Sequence, residues 1–224
     1  MPDSVKAILL VVGASASAAT MHNIVRYLTV EEGLHAFEVA FFRGFLGLII
    51  FIPVIARNGF GLFRTDMLPW HLGRGLVNAG AMLCMITALS LIPVGDVAAI
   101  SLVGPVFVAL LAIFFLGEKV GPRRWLGISL AVAGAFVVVR PGFVAINLGT
   151  VLVLMAVFLV SNSKVMAKML SRHDSPTTIV AYVTLLMTPV TLIPALFVWQ
   201  WPTLEQFLWL TAIGLCGTTG HLLF

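Results

Sequence analysis

Residues 96–117 read DVAAISLVGPVFVALLAIFFLG, a run whose one charge stands at its first position. As a helix it is long enough to cross a hydrocarbon layer about 30 Å thick, which takes roughly 20 apolar residues. Asp96 suits the cap of such a helix, where a carboxylate accepts from the first free amides. Gly104-Pro105 falls near the middle of the run, and proline has no N–H to offer the carbonyl of Ser101. A carbonyl freed at that depth is tolerated only beside protein or a water-filled cavity.

Seven further runs flank this one, near 6–28, 35–56, 71–92, 124–139, 148–169, 177–199 and 206–224. Turn and stop residues separate them: Glu31-Glu32-Gly33, Arg57-Asn58-Gly59, Ile92-Pro93-Val94-Gly95, Gly121-Pro122-Arg123-Arg124 and Arg140-Pro141-Gly142. Ser175-Pro176 reads as the cap and first turn of the seventh. Of the 224 residues, 60% are hydrophobic and 10% charged. Soluble domains are roughly 45–50% apolar and about 25% charged. These figures exclude a soluble fold, a disordered chain, a disulfide scaffold and a coiled coil. A formal charge of +4 with scattered basic residues excludes a nucleic-acid partner. Cys84 and Cys216 lie in apolar runs and act as small hydrophobes.

The class is an all-α polytopic membrane protein, with the lipid bilayer as its first partner. Lys6, the stretch Ala7–Val12 and Ala14-Ser15-Ala16 also fit a secretory signal. Continuation of the helical pattern to Leu28, through His22 and Asn23, favours a membrane span instead. With the N-terminus in the cytoplasm, Lys6, Arg57, Arg64, Lys119, Arg123, Arg124, Lys168 and Arg172 fall inside, and only Arg26 and Arg140 outside.

A shift of 139 residues lays the first three spans over the sixth, seventh and eighth. Asn23 then meets Asn162, Asp66 meets Glu205, Trp70 meets Trp209, and Gly75-Leu76 meets Gly214-Leu215. Five spans per copy make the second copy enter the membrane from the opposite side. The expectation is two inverted five-helix repeats, 1–142 complete and 143–224 holding three helices, with the eighth cut short. Inverted repeats are the architecture of many secondary transporters, whose sites lie near the midplane between the halves.

Three stretches carry a resemblance: Phe37-Glu38-Val39-Ala40-Phe41-Phe42-Arg43, Asp96 through Phe107, and Phe115-Leu116-Gly117-Glu118-Lys119. With the order of spans, they resemble the drug/metabolite transporter superfamily, EamA type. The resemblance implies ten helices in two inverted repeats, alternating access, and small organic metabolites as cargo. Against that pattern the second repeat is incomplete, and a fragment of a longer chain is expected. A bacterial inner-membrane location follows the same resemblance, and a homodimer is compatible with it.

Candidate cavity residues come from polarity at depth, which is costly in lipid. Arg43 lies about 12 Å into the second span at 1.5 Å per residue. Glu38 is five residues away and on another face, so Arg43 needs an acceptor from another helix, water or an anionic solute. Glu38 itself reads as a solvated end residue. His22-Asn23 and Ser161-Asn162-Ser163 are the polar clusters of the first and sixth spans, and interhelical hydrogen bonding is their plainer role. His22 is the candidate proton carrier, having the one buried side chain that titrates near neutrality. Lys164 and Arg74 lie near the cytoplasmic ends of their spans and read as snorkelling cations. Asn78, Ser101, Pro105 and His221 complete the set. Gly13, Ser17, Gly73, Gly75, Gly127, Ala131 and Gly134 read as close-packing positions.

The leading function is secondary transport of small organic metabolites. An intramembrane enzyme is disfavoured: there is no His-Glu-x-x-His, no Gly-x-Ser-x-Gly and no nucleotide-binding loop. No catalytic residue, metal or cofactor is expected. The remaining alternative is a scaffold that does not transport, or an inactive fragment of a transporter.

Overall fold

A computed structural model describes residues 3–117, 121–139 and 147–223. Its helices among the described residues are α1 (Asp3–Val30), α2 (Ala36–Asn58), α3 (Leu68–Leu91), α4 (Val94–Ser101), α5 (Gly104–Leu116), α6 (Pro122–Val139), α7 (Leu148–Leu170), α8 (Pro176–Leu196) and α9 (Leu204–Leu223). A short 3-10 turn at Phe60–Phe63 follows α2. By length and composition, Ala36–Arg57, Leu68–Leu91, Val94–Leu116, Leu148–Leu170 and Pro176–Leu196 can each cross a membrane. The chain is a polytopic helical membrane protein.

Helix ends follow the local chemistry. The imidazole of His35 accepts from the Phe37 amide at 3.2 Å, and Glu38 accepts from the His35 amide at 3.3 Å, a reciprocal cap on α2. Asn147 caps α7 by accepting from the Thr150 amide at 2.9 Å. Ser175 caps α8 in the same way, accepting from Thr178 at 3.1 Å, as expected for Ser-Pro. Asp96 does not cap the fourth span. Pro93 takes that position, and Asp96 sits in the first turn, where its charge still complements the helix dipole. Gly117 ends α5 with φ 64°, a left-handed geometry open to glycine without a Cβ penalty.

The described chain forms two compact units. The first comprises Met1–Arg64 and Thr184–Phe224. In it α9 packs on α1 and α2. A Cβ on Gly214 of α9 would stand 2.8 Å from Leu46 Cβ of α2, so glycine sets that helix distance. Trp199 lies over Phe41 and Phe42, with centroids at 5.6 and 5.7 Å, and Trp201 meets it edge-on at 5.6 Å. Glu38 is fully buried beneath them, accepting from the backbone N–H of Gln200. The sequence expectation of a solvated Glu38 is therefore corrected. The carboxylate ties the start of α2 to the α8–α9 connection, 162 residues away.

The second unit is Thr65–Val183. Here α7 is the centre: α3 packs along it most extensively, then α5 and α4, while α6 rests on α4 and α5. Arg74 of α3 does not snorkel. Its guanidinium donates to the carbonyl of Ile179 at 2.9 Å and to that of Ser163 at 3.3 Å, clamping α7 and α8. At the start of α3, buried His71 places Nε2 at 2.9 Å from Asp174 Oδ2 and stacks on Tyr182 at 4.3 Å. Thr65 donates to the same carboxylate oxygen at 2.7 Å. Each unit takes helices from both segments, 1–142 and 143–224.

Candidate functional site

The fourth span is broken in the middle. α4 ends at Ser101 and α5 begins at Gly104. Between them the ladder tightens: Leu102 N–H donates to the Ala99 carbonyl at 3.2 Å, and Val103 N–H to the Ile100 carbonyl at 3.1 Å. Pro105 explains the break, because it supplies no N–H to the Ser101 carbonyl and its ring crowds the preceding turn. The Ser101 hydroxyl turns back to the Val97 carbonyl at 2.7 Å. From α7, Ser161 donates to the carbonyl of Gly104 at 3.3 Å while also bonding Val157 of its own helix at 2.7 Å. A Cβ on Gly104 would lie 3.5 Å from Val157 Cγ1, so the break is held close against α7.

A cavity of about 590 Å³ opens at this break. Ser101 and Pro105 line it from the interrupted span, Gly127 and Ile128 from α6, and Lys164 from α7. The volume suits a small organic molecule. Its wall is mostly apolar, and Lys164 supplies the charge; among the described residues no carboxylate lines it. Among the described residues no other group pairs with the Lys164 ammonium. No set of three His, Cys, Asp or Glu side chains able to hold a metal occurs among the described residues.

The structure thus gathers Ser101, Pro105 and Lys164 from the expected set around one space. Ser161 is buried and pins the break from behind. Asn162 is half-buried beside it, and Asn78 is half-buried on α3. The others belong to the first unit. Arg43 is half-buried on α2 near Gly217 and Met21, with the half-buried His22 close enough to feel its charge. Asn23 is exposed and donates to the carbonyl of Ala19 at 2.9 Å, within its own helix. The side chain of His221 lies outside the described residues, as do those of Ala131, Arg123 and Arg124. Gly127 was expected to serve packing, yet a Cβ there would meet nothing within 4 Å, and the glycine forms cavity wall instead.

Comparison with known proteins bears on this geometry. Residues 5–140 match the EamA-like transporter family. The chain is 30% identical over 203 residues to a riboflavin transporter of Vibrio cholerae, covering 90% of this chain and 68% of that protein. It is 28% identical to an S-adenosylmethionine uptake transporter of Rickettsia bellii over 83% of this chain and 64% of the relative. With the pseudopaline exporter CntI of Pseudomonas aeruginosa it shares 28% identity over 96% of this chain and 75% of that one. It spans 60–68% of the length of three riboflavin transporters it resembles. A solved crystal structure superposes with a TM-score of 0.68 at 18% identity, over 94% of this chain and 77% of that chain, which shows a shared fold.

Proposed function

The chain belongs to the EamA-like transporter family, and on that premise we infer that it takes part in secondary transport of a small organic metabolite, with the cavity at the broken fourth span as the solute's contact surface. The observation that carries this is the interruption itself. Irregular backbone at membrane depth is tolerated where it is buried in protein or lines a water-filled cavity, and this break lines a cavity. The reading is of a carrier, in keeping with the relatives, which are named as transporters. The three relatives' names cover uptake and export of chemically different metabolites, which fits a shared transport scaffold with a variable cavity wall.

Internal duplication supports alternating access. Under the 139-residue shift α1 corresponds to α7 and α3 to α9. The dominant packing of one unit, α1 on α9, is then the counterpart of α7 on α3 in the other. Each unit is built around one helix from each copy, as expected of exchanged inverted repeats. An inner-membrane location with a cytoplasmic N-terminus goes with the distribution of Lys and Arg.

The test is flux into proteoliposomes, using riboflavin, S-adenosylmethionine and opine-type metabolites as the panel. Solute-dependent flux that falls at least about tenfold on filling the cavity with Gly127→Leu supports the reading. Wild-type flux no faster than that of empty liposomes for the whole panel overturns it.

A further inference from the structure

The geometry points to Lys164 as the anchor of an anionic group, so that the cavity at the broken span takes organic anions: metabolites bearing a carboxylate or phosphate on an otherwise apolar body. This rests on the transport reading for its physiological meaning, though not for the binding it describes.

Three observations converge. Lys164 stands about 9 Å before the end of α7 at 1.5 Å per residue, and it lines the cavity. An ammonium within a span is expensive unless it reaches water, a carbonyl or an opposite charge. Arg74, also within a span of this unit, solves that problem with two backbone carbonyls. Lys164 has no such bonds among the described residues, and its neighbours in the wall are Pro105, Val108, Gly127 and Ile128. The one acidic side chain within the described parts of α4–α7 is Asp96, in the first turn of α4 and two turns before the break. The cavity is thus built with a cation whose counter-charge none of the described lining residues provides. A solute anion supplies it through a charge-assisted hydrogen bond. The apolar wall receives the rest of the molecule.

The experiment follows Lys164 directly. The purified 224-residue chain in detergent is treated with a neutral acetylating reagent, and modification at each lysine is quantified by mass spectrometry. Lys168, one turn further along α7 and exposed as Lys164 is, but outside the cavity lining, serves as the internal reference. Protection is compared within matched pairs: flavin mononucleotide with riboflavin, adenosine monophosphate with adenosine, and benzoate with benzamide. The expected result is that at least one anion of a pair slows acetylation of Lys164 about tenfold more than its neutral partner does, the range of a charge-assisted hydrogen bond. Lys168 should be indifferent. A lysine that merely snorkels would acetylate at the Lys168 rate whatever is added, and that overturns the inference. Equal protection by both members of every pair overturns it too. Flux in proteoliposomes separates the two readings: selective protection without flux leaves anion binding standing and removes transport, whereas flux without selective protection does the reverse. In equilibrium binding of the same matched pairs, which does not need a lysine at 164, Lys164→Arg should keep the preference for the anion, and Lys164→Gln should abolish it.

Discussion

Asp174 shows how one side chain in a connection can fasten several elements. Burial alone raises its carboxyl, but the hydrogen bonds from His71 and Thr65 outweigh that and hold it below the usual carboxylate value. A carboxyl depressed by folding contributes stability above its unfolded pKa of about 3.9, and the contribution is lost as pH falls through the lower folded value. The melting temperature of Asp174→Asn in detergent should therefore lie below wild type by a constant margin at neutral pH, with the margin shrinking below about pH 4. Asp174→Ala should cost about 1–3 kcal/mol, because Nε2 of the buried His71 loses its partner. Glu38→Ala should cost a similar amount by orphaning the amides of His35 and Gln200. Neither residue's role could be read locally. Glu38 stands near a span end, as solvated residues do, and its decisive partner lies far along the chain. His71 carries no pattern at all until folding brings Asp174 to it. Arg74 was misjudged for the same reason, its acceptors being carbonyls of Ser163 and Ile179 that composition cannot place.

Elements were far more legible than contacts. Apolar length and turn residues placed each span within a few residues, because in lipid a backbone must bond within its own segment. Gly104-Pro105 located the break, since the loss of an N–H is a covalent property. That the break would meet Lys164 depended on packing. Pro105→Ala returns an N–H toward the Ser101 carbonyl and should stabilise the span only modestly, because Pro105 stands in the first turn of α5, where proline is tolerated. Flux should fall in the same variant, and a combined melting and transport assay reads both. Helix spacing gives a second contrast. Gly214→Ala drives a methyl toward Leu46 Cβ at 2.8 Å and should destabilise by about 1–3 kcal/mol. Gly73→Ala meets only the flexible Met166 terminus at 3.4 Å and should be tolerated. Thermal unfolding of the two variants side by side checks the difference.

For the whole molecule, the proposed topology makes an asymmetric prediction. In a chain with Cys84 and Cys216 replaced by alanine, single cysteines at Glu31 and Gln200 should react with a membrane-impermeant maleimide added to intact cells. Cysteines at Arg64 and Arg172 should react only after the cells are opened. Labelling of Arg64→Cys and Arg172→Cys from opposite sides would overturn the inverted arrangement, since each follows a span that returns to the cytoplasm.

Three of the chain's five tryptophans, Trp199, Trp201 and Trp209, belong to the α8–α9 region of the first unit. Two of them touch each other, and the third meets Tyr27 at 5.8 Å. Ultraviolet emission from the native protein is therefore weighted toward one corner, without any attached dye. Bromine atoms placed at graded depths along the acyl chains would quench that light most strongly where the corner sits, turning the protein's own glow into a depth gauge for its placement in the bilayer.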